Sequence, residues 1–249
     1  MGLAALTGGV AAETSALQIA TGELPPYATQ SRLDQGIALA IVRRAFELSG
    51  HKVEFHFRPW PRAQQETQQG QWDASAYWGA SPARQRSFLL SDNVLTEQWV
   101  IIYRRELKLD WQELRQLRPY TLGVIREYTY TPEFWALLKS GELRSDSTPS
   151  DEAGLRKLLL GRIDAMPMER NVACDLLYRH FTSEQASRLQ AHPRLLTESF
   201  TTHLILPLQA PRSAALLADF NQGLKKLKAS GEYQTMLSKV QCPSSWLGG

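Results

Sequence analysis

The sequence predicts an α/β protein folded into two lobes with mixed, mainly parallel sheets, and three observations carry that prediction. A first run of alternating strand and helix patterns fills residues 17–78, a second begins near residue 120, and two helices are left over at the end. Strands separated by helices build parallel sheets, because a parallel partner can be reached only by a crossover. Two such series make two sheets, and the surplus helices return to the first.

The elements follow in order. Residues 17–21, LQIAT, form a short strand, and Pro25 and Pro26 break the pattern behind it. Between residues 35 and 48, Ile37, Ile41, Ala45 and Leu48 recur at helical spacing, and Gly50 is a fitting stop. Val53, Phe55 and Phe57 alternate with Glu54 and His56, the mark of a half-buried strand. A polar helix over 62–69 ends at Gly70, and a strand over 73–78 completes the unit. Residues 99–104, WVIIYR, form an apolar strand before a charged break. The second series has strands at 120–125, 143–148 and 163–168. Its helices lie at 131–139, 151–160 and onward through Tyr178, the first with Thr131 as N-cap and Pro132 in the first turn. A strand over 203–207 and helices over 213–229 and 232–240 close the chain. Crossings near Arg104 and Thr202 put residues 17–104 plus 203–249 in lobe one and 105–202 in lobe two. Neither crossing is Gly/Ser-rich, so strands and not loose tethers form the hinge.

Composition excludes several function classes. The 28 Lys and Arg against 25 Asp and Glu leave a net charge of +3 in 249 residues, with no basic run. Nucleic-acid binding uses a clustered basic face, so no nucleic-acid partner is expected. No apolar stretch is long enough to span a membrane. Residues 1–16 open with the uncharged MGLAALTGGVAA and continue with small residues, which predicts a truncated secretory signal and a periplasmic, secreted protein. Cys174 and Cys242 lack zinc-ligand spacing and read as one buried thiol and one tail thiol. The five histidines show no metal spacing, and no cofactor is expected.

The order of several short motifs adds a resemblance. Pro25-Pro26-Tyr27 follows the first strand, and Phe57-Arg58-Pro59-Trp60 precedes Asp73 in GQWDAS. Ser81-Pro82-Ala83-Arg84 leads to Phe88 and Ser91-Asp92. Leu122-Gly123-Val124 leads to Tyr128-Thr129, and residues 161–165, GRIDA, precede Glu169. Over about residues 17–240 the chain resembles the family 3 bacterial extracellular solute-binding proteins, the type II periplasmic binding proteins of amino-acid ABC transporters. The resemblance implies a monomer that is no enzyme. It would bind a small carboxylate-bearing solute between its lobes and present it to an inner-membrane permease or a receptor. An enzyme of dehydratase type on the same fold, with Glu169 as general acid, and a free-standing sensor are the alternatives.

The same resemblance proposes the site. Arg84, on sequence alone a surface arginine beside Arg86, would hold the ligand carboxylate through paired hydrogen bonds. Trp60 would stack on the ligand, with Tyr27 and Trp78 as further aromatic candidates. Thr129, with Tyr128 beside it, precedes a helix N-terminus suited to an anion, or serves only its turn. Glu169 would meet a ligand ammonium, or only stabilise the helix that follows it. Glu23 would face a ligand cation or stay solvated. The chain departs from the family in residues 36–40, GIALA, which lack the usual acids, and at Arg126-Glu127, where a glycine is usual. With Arg62 nearby, these departures tilt the expected pocket toward anions.

Overall fold

A computed structural model describes residues 15–246 apart from 126, 127, 129 and 198. Lobe one begins with β1 (Leu17–Thr21), α1 (Ile37–Glu47), β2 (Val53–Phe57), α2 (Trp60–Gln68) and β3 (Ala74–Gly79). Three short elements follow: α3 (Pro82–Ser87), β4 (Phe88–Leu90) and β5 (Leu95–Glu97). The second sheet takes β6 (Trp99–Arg104), β7 (Thr121–Val124), α4 (Pro132–Lys139), β8 (Arg144–Ser147), α5 (Asp151–Leu159) and β9 (Ala165–Glu169). It is completed by α6 (Arg170–His180), α7 (Ser183–Ser187) and β10 (Leu189–Leu195). The chain then returns with β11 (Phe200–Pro207), α8 (Ser213–Ala229) and α9 (Glu232–Leu237).

The two sheets share a plan. The first has the order β2-β1-β3-β11-β4, with β5 also paired to β11, and the second has the order β10-β6-β9-β7-β8. In each, three parallel strands are extended by antiparallel ones: β2-β1-β3 meets β11, and β8-β7-β9 meets β6. Crossover helices explain the parallel trios.

Helix α1 buries Ile37, Ala38, Leu39, Ile41, Val42, Ala45 and Phe46 on one face, as the periodicity predicts. That face meets α8, where a Cβ on Gly223 would overlap the Ala45 carbonyl, so only glycine allows so close an approach. Helix α4 starts as expected, with the Thr131 hydroxyl accepting from the Phe134 amide at 3.2 Å and proline in the first turn.

The lobe boundaries differ from the sequence expectation. Strand β6, placed there at the end of lobe one, is bonded to β9 and β10 in the second sheet. The first crossing therefore falls at Gln98, between β5 and β6, and the second spans residues 196–199, between β10 and β11.

The cysteines differ too. Cys174 and Cys242 form a disulfide, 68 residues apart in sequence, where separate thiols were expected. Cys174 lies on α6 beside the second sheet, while Cys242 follows α9, which packs on α1 in lobe one. Beyond the bridge, the Trp246 indole donates to the Ala186 carbonyl at 3.3 Å and packs on the core of lobe two. The tail thus makes a third connection between the lobes, this one through a disulfide.

Candidate functional site

Between the sheets lies a cleft of about 430 Å³ lined by both lobes. Lobe one supplies an aromatic wall and a cation. Trp60 starts α2, and its ring lies over Gly22, where a Cβ would overlap it. The rings of Trp60 and Trp78 meet edge-on at 5.1 Å and 85°. Neighbouring strand residues normally face opposite ways. Here the β3–β11 register shifts between Ser75 and Trp78, and Tyr77 takes a left-handed φ of 70°. This bulge brings both Tyr77 and Trp78 to the cleft.

Arg84 sits in α3, behind the N-cap Ser81. Its Nε donates to the Gln64 side-chain oxygen at 3.0 Å, and its Nη1 to the Gly79 carbonyl at 2.8 Å. The guanidinium carbon lies 4.7 Å from the centre of the Trp78 ring. Burial lowers its pKa, yet a guanidinium stays charged at neutral pH.

Lobe two supplies a negative wall. Trp99 and Tyr128 meet edge-on at 6.0 Å and 87°. The Tyr128 hydroxyl donates to Oδ2 of Asp151, the first residue of α5. Ser150 already caps that helix, its Oγ accepting from the Ala153 amide at 3.2 Å. Asp151 is 6% exposed, and its Oδ1 is buried with no hydrogen-bond partner among the described residues. Burial pushes its pKa up to about 6, opposed only by the Tyr128 hydroxyl.

At the first crossing, Glu97 accepts from the Tyr77 hydroxyl on one oxygen and from the Trp99 indole at 2.5 Å on the other. Burial, with the nearby Glu169 carboxylate, pushes its pKa up to about 8. Glu169 accepts from the amides of Asn171 at 2.7 Å, Val172 at 2.9 Å and Gln98 at 3.2 Å. Burial lifts it to about 7, with the Val172, Gln98 and Asn171 amides pulling the other way.

A lobed fold with a cleft of this composition is a binding architecture, and comparison identifies it. Residues 17–240 match the bacterial extracellular solute-binding proteins, family 3. The chain belongs to that family. Comparison with curated protein sequences gives no match. Among solved structures, the GluR0 ligand-binding core from Nostoc punctiforme in complex with L-glutamate is 18% identical, with a TM-score of 0.72 over 90% of this chain and 98% of that one. A histidine kinase sensor domain with similarity to periplasmic binding proteins is 20% identical, with a TM-score of 0.74 over 94% and 96%. The substrate binding protein of an amino acid ABC transporter is 18% identical, with a TM-score of 0.70 over 91% and 99%. At these identities the likeness is one of fold.

In this family 3 solute-binding protein, the candidates Glu23, Trp60, Trp78, Arg84 and Tyr128 are among the residues that line the cleft. Tyr27 and Glu169 are not among the lining residues. Tyr27 is 2% exposed, stacks on Tyr77 at 5.2 Å and accepts from the Asn171 side chain at 2.7 Å. Glu169 is the N-cap of α6, so the helix takes up its carboxylate. Thr129 lies outside the described residues, as does Arg126. Arg62 pairs with Glu66 at 2.5 Å, its side chain 67% exposed and outside the cleft.

Sequence reasoning passed over Tyr77, Glu97, Trp99 and Asp151. The bulge that exposes Tyr77 to the cleft leaves no mark in an apolar strand. Asp151 did carry a signal: it follows Ser150, a residue able to cap the helix by itself. Among the described lining residues, Glu23, Glu97, Asp151 and Glu152 face one arginine, Arg84. Of the two arginines behind the expected tilt toward anions, Arg62 lies outside the cleft and Arg126 outside the described residues.

Proposed function

We propose that this protein captures a small carboxylate-bearing solute, an amino acid first, by closing its two lobes on it, with Arg84 holding the carboxylate. The observation that carries this reading is Arg84 itself: a half-buried guanidinium, fixed by Gln64 and Gly79, at the edge of an aromatic cleft. A fixed guanidinium matches a carboxylate in plane and charge, and desolvation strengthens the pair. Trp60 and Trp78 add rigid apolar area. Closure follows if the solute binds the closed state better than the open one, since only then do both walls touch it. The neighbour bound to L-glutamate agrees with this ligand class.

The solute would be taken up outside the cytoplasm, where a disulfide persists, and passed to a permease. The likeness to a sensor domain favours a second reading of the output, in which the same capture reports to a receptor. The dehydratase alternative loses support, because its proposed acid, Glu169, is held by three backbone amides.

A thermal-shift screen of amino acids, dicarboxylates, polyamines and short peptides should yield a stabilising carboxylate compound. A solute at about 100 times its dissociation constant adds about 2.7 kcal/mol. Arg84→Ala should then cost about 2–5 kcal/mol of binding by calorimetry, with the fold retained. Unchanged affinity in that variant, or hits confined to sugars or metal ions, would overturn the reading.

A further inference from the structure

Building on the proposed capture of a carboxylate solute, we infer that Asp151 is the group in the cleft that recognises a protonated nitrogen on that solute, an ammonium or a guanidinium. Four observations converge on this residue. First, the carboxylate is incompletely bonded: Tyr128 satisfies Oδ2, while Oδ1 is buried with no partner among the described residues. A buried acceptor left without a donor costs about 1–3 kcal/mol, and a charged one costs more. Second, among the described residues no cation counters the charge. Burial raises the pKa, and only the Tyr128 hydroxyl acts against it.

Third, the competing acids in and beside the cleft are engaged. Glu169 is held by three backbone amides. Both oxygens of Glu97 accept hydrogen bonds, and its burial favours the protonated form. Glu152 pairs with Arg156 at 2.7 Å, and the exposed Glu23 accepts from the Gln30 amide at 3.2 Å. Fourth, the surroundings suit a cation. Tyr128, which bonds Asp151, and Trp99 both line the cleft, and aromatic rings attract positive charge.

The placement also gives closure a reason. Arg84 stands on lobe one and Asp151 on lobe two. A solute with a carboxylate and a protonated nitrogen gains its second ionic contact only when both walls reach it. A dicarboxylate would instead bring like charge to Asp151, so the site selects against it.

The test is calorimetry on wild type and Asp151→Asn with L-arginine, L-lysine, L-glutamine and L-glutamate, and with glutarate as the nitrogen-free probe. Asparagine preserves shape and can still accept from Tyr128. The expected result is that wild type binds one or more of the amino acids, and that the variant binds them about tenfold to a hundredfold more weakly, as loss of a charged hydrogen bond predicts. Wild-type affinity should also rise with pH as Asp151, with its pKa of about 6, ionises, and this rise should vanish in Asp151→Asn. Amino-acid affinities within about twofold of wild type, or tighter binding of glutarate than of glutamate by wild type, would overturn the role of Asp151 while leaving capture standing. If wild type binds none of the five compounds, the amino-acid reading itself fails and this inference falls with it.

Discussion

Helices α5 and α6 each have an acid at the N-terminus, Asp151 as the first residue of one and Glu169 as the cap of the other, yet the two acids have opposite fates. Glu169 is the cap of α6, and the helix amides together with Gln98 consume its carboxylate. On α5 the cap is Ser150, one residue earlier, so Asp151 is spared that task and keeps an unbonded oxygen at the wall of a cleft. The first arrangement spends charge on stability. The second holds charge where stability gains nothing from it, which is how binding sites are commonly built. A carboxylate at a helix start is thus informative about ligands only once the capping residue is known.

The largest effect that would break this contrast is in Glu169→Ala. It strips three amides of their acceptor, one of them at the lobe crossing, and should destabilise the fold by about 2–4 kcal/mol in urea unfolding. Stability within about 0.5 kcal/mol of wild type would show that Glu169 is no structural cap.

A pH series gives the next largest effect. Glu97, Glu169 and Asp151 have folded pKa values of about 8, 7 and 6, all raised by burial above the usual carboxylate range. Between about pH 5 and pH 8 the folded protein holds protons that the unfolded chain has released, so stability falls as pH rises. Glu97→Gln should flatten that slope, as followed by the denaturant midpoint against pH. A midpoint that rises with pH over this window would contradict the burial argument.

Asp151→Asn should give the smallest change in stability, within about 1 kcal/mol and in the stabilising direction, because it removes an incompletely bonded buried charge. Thermal unfolding of the unliganded protein checks it. A loss comparable to that of Glu169→Ala would mean that both acids serve the fold.

Much of this architecture was legible. The strand WVIIYR and the long helix α8 have the bounds that their apolar patterns predict. Sheet membership was not legible, since a strand apolar on every residue is buried equally well in either lobe. Strands β4 and β5 have three residues each, too few for a period to show, and Pro193 breaks the pattern in β10. In the cleft, Arg84 and Trp60 were proposed from the order of motifs and Trp78 as an aromatic candidate, and all three line it. Tyr77 needed the bulge, and Glu97 needed the true position of the crossing. Cysteine pairing depends on a distance that no spacing encodes.

The bridge between Cys174 and Cys242 closes a ring of chain that includes strands from both sheets and the helices α8 and α9. Leu208, 44% exposed, lies within this ring just after β11, where a protease could reach the backbone. A molecule cut there would not separate into halves. Its two pieces would stay joined through sulfur and migrate as one until a reductant released them, so proteolysis there would leave a nicked but undivided protein.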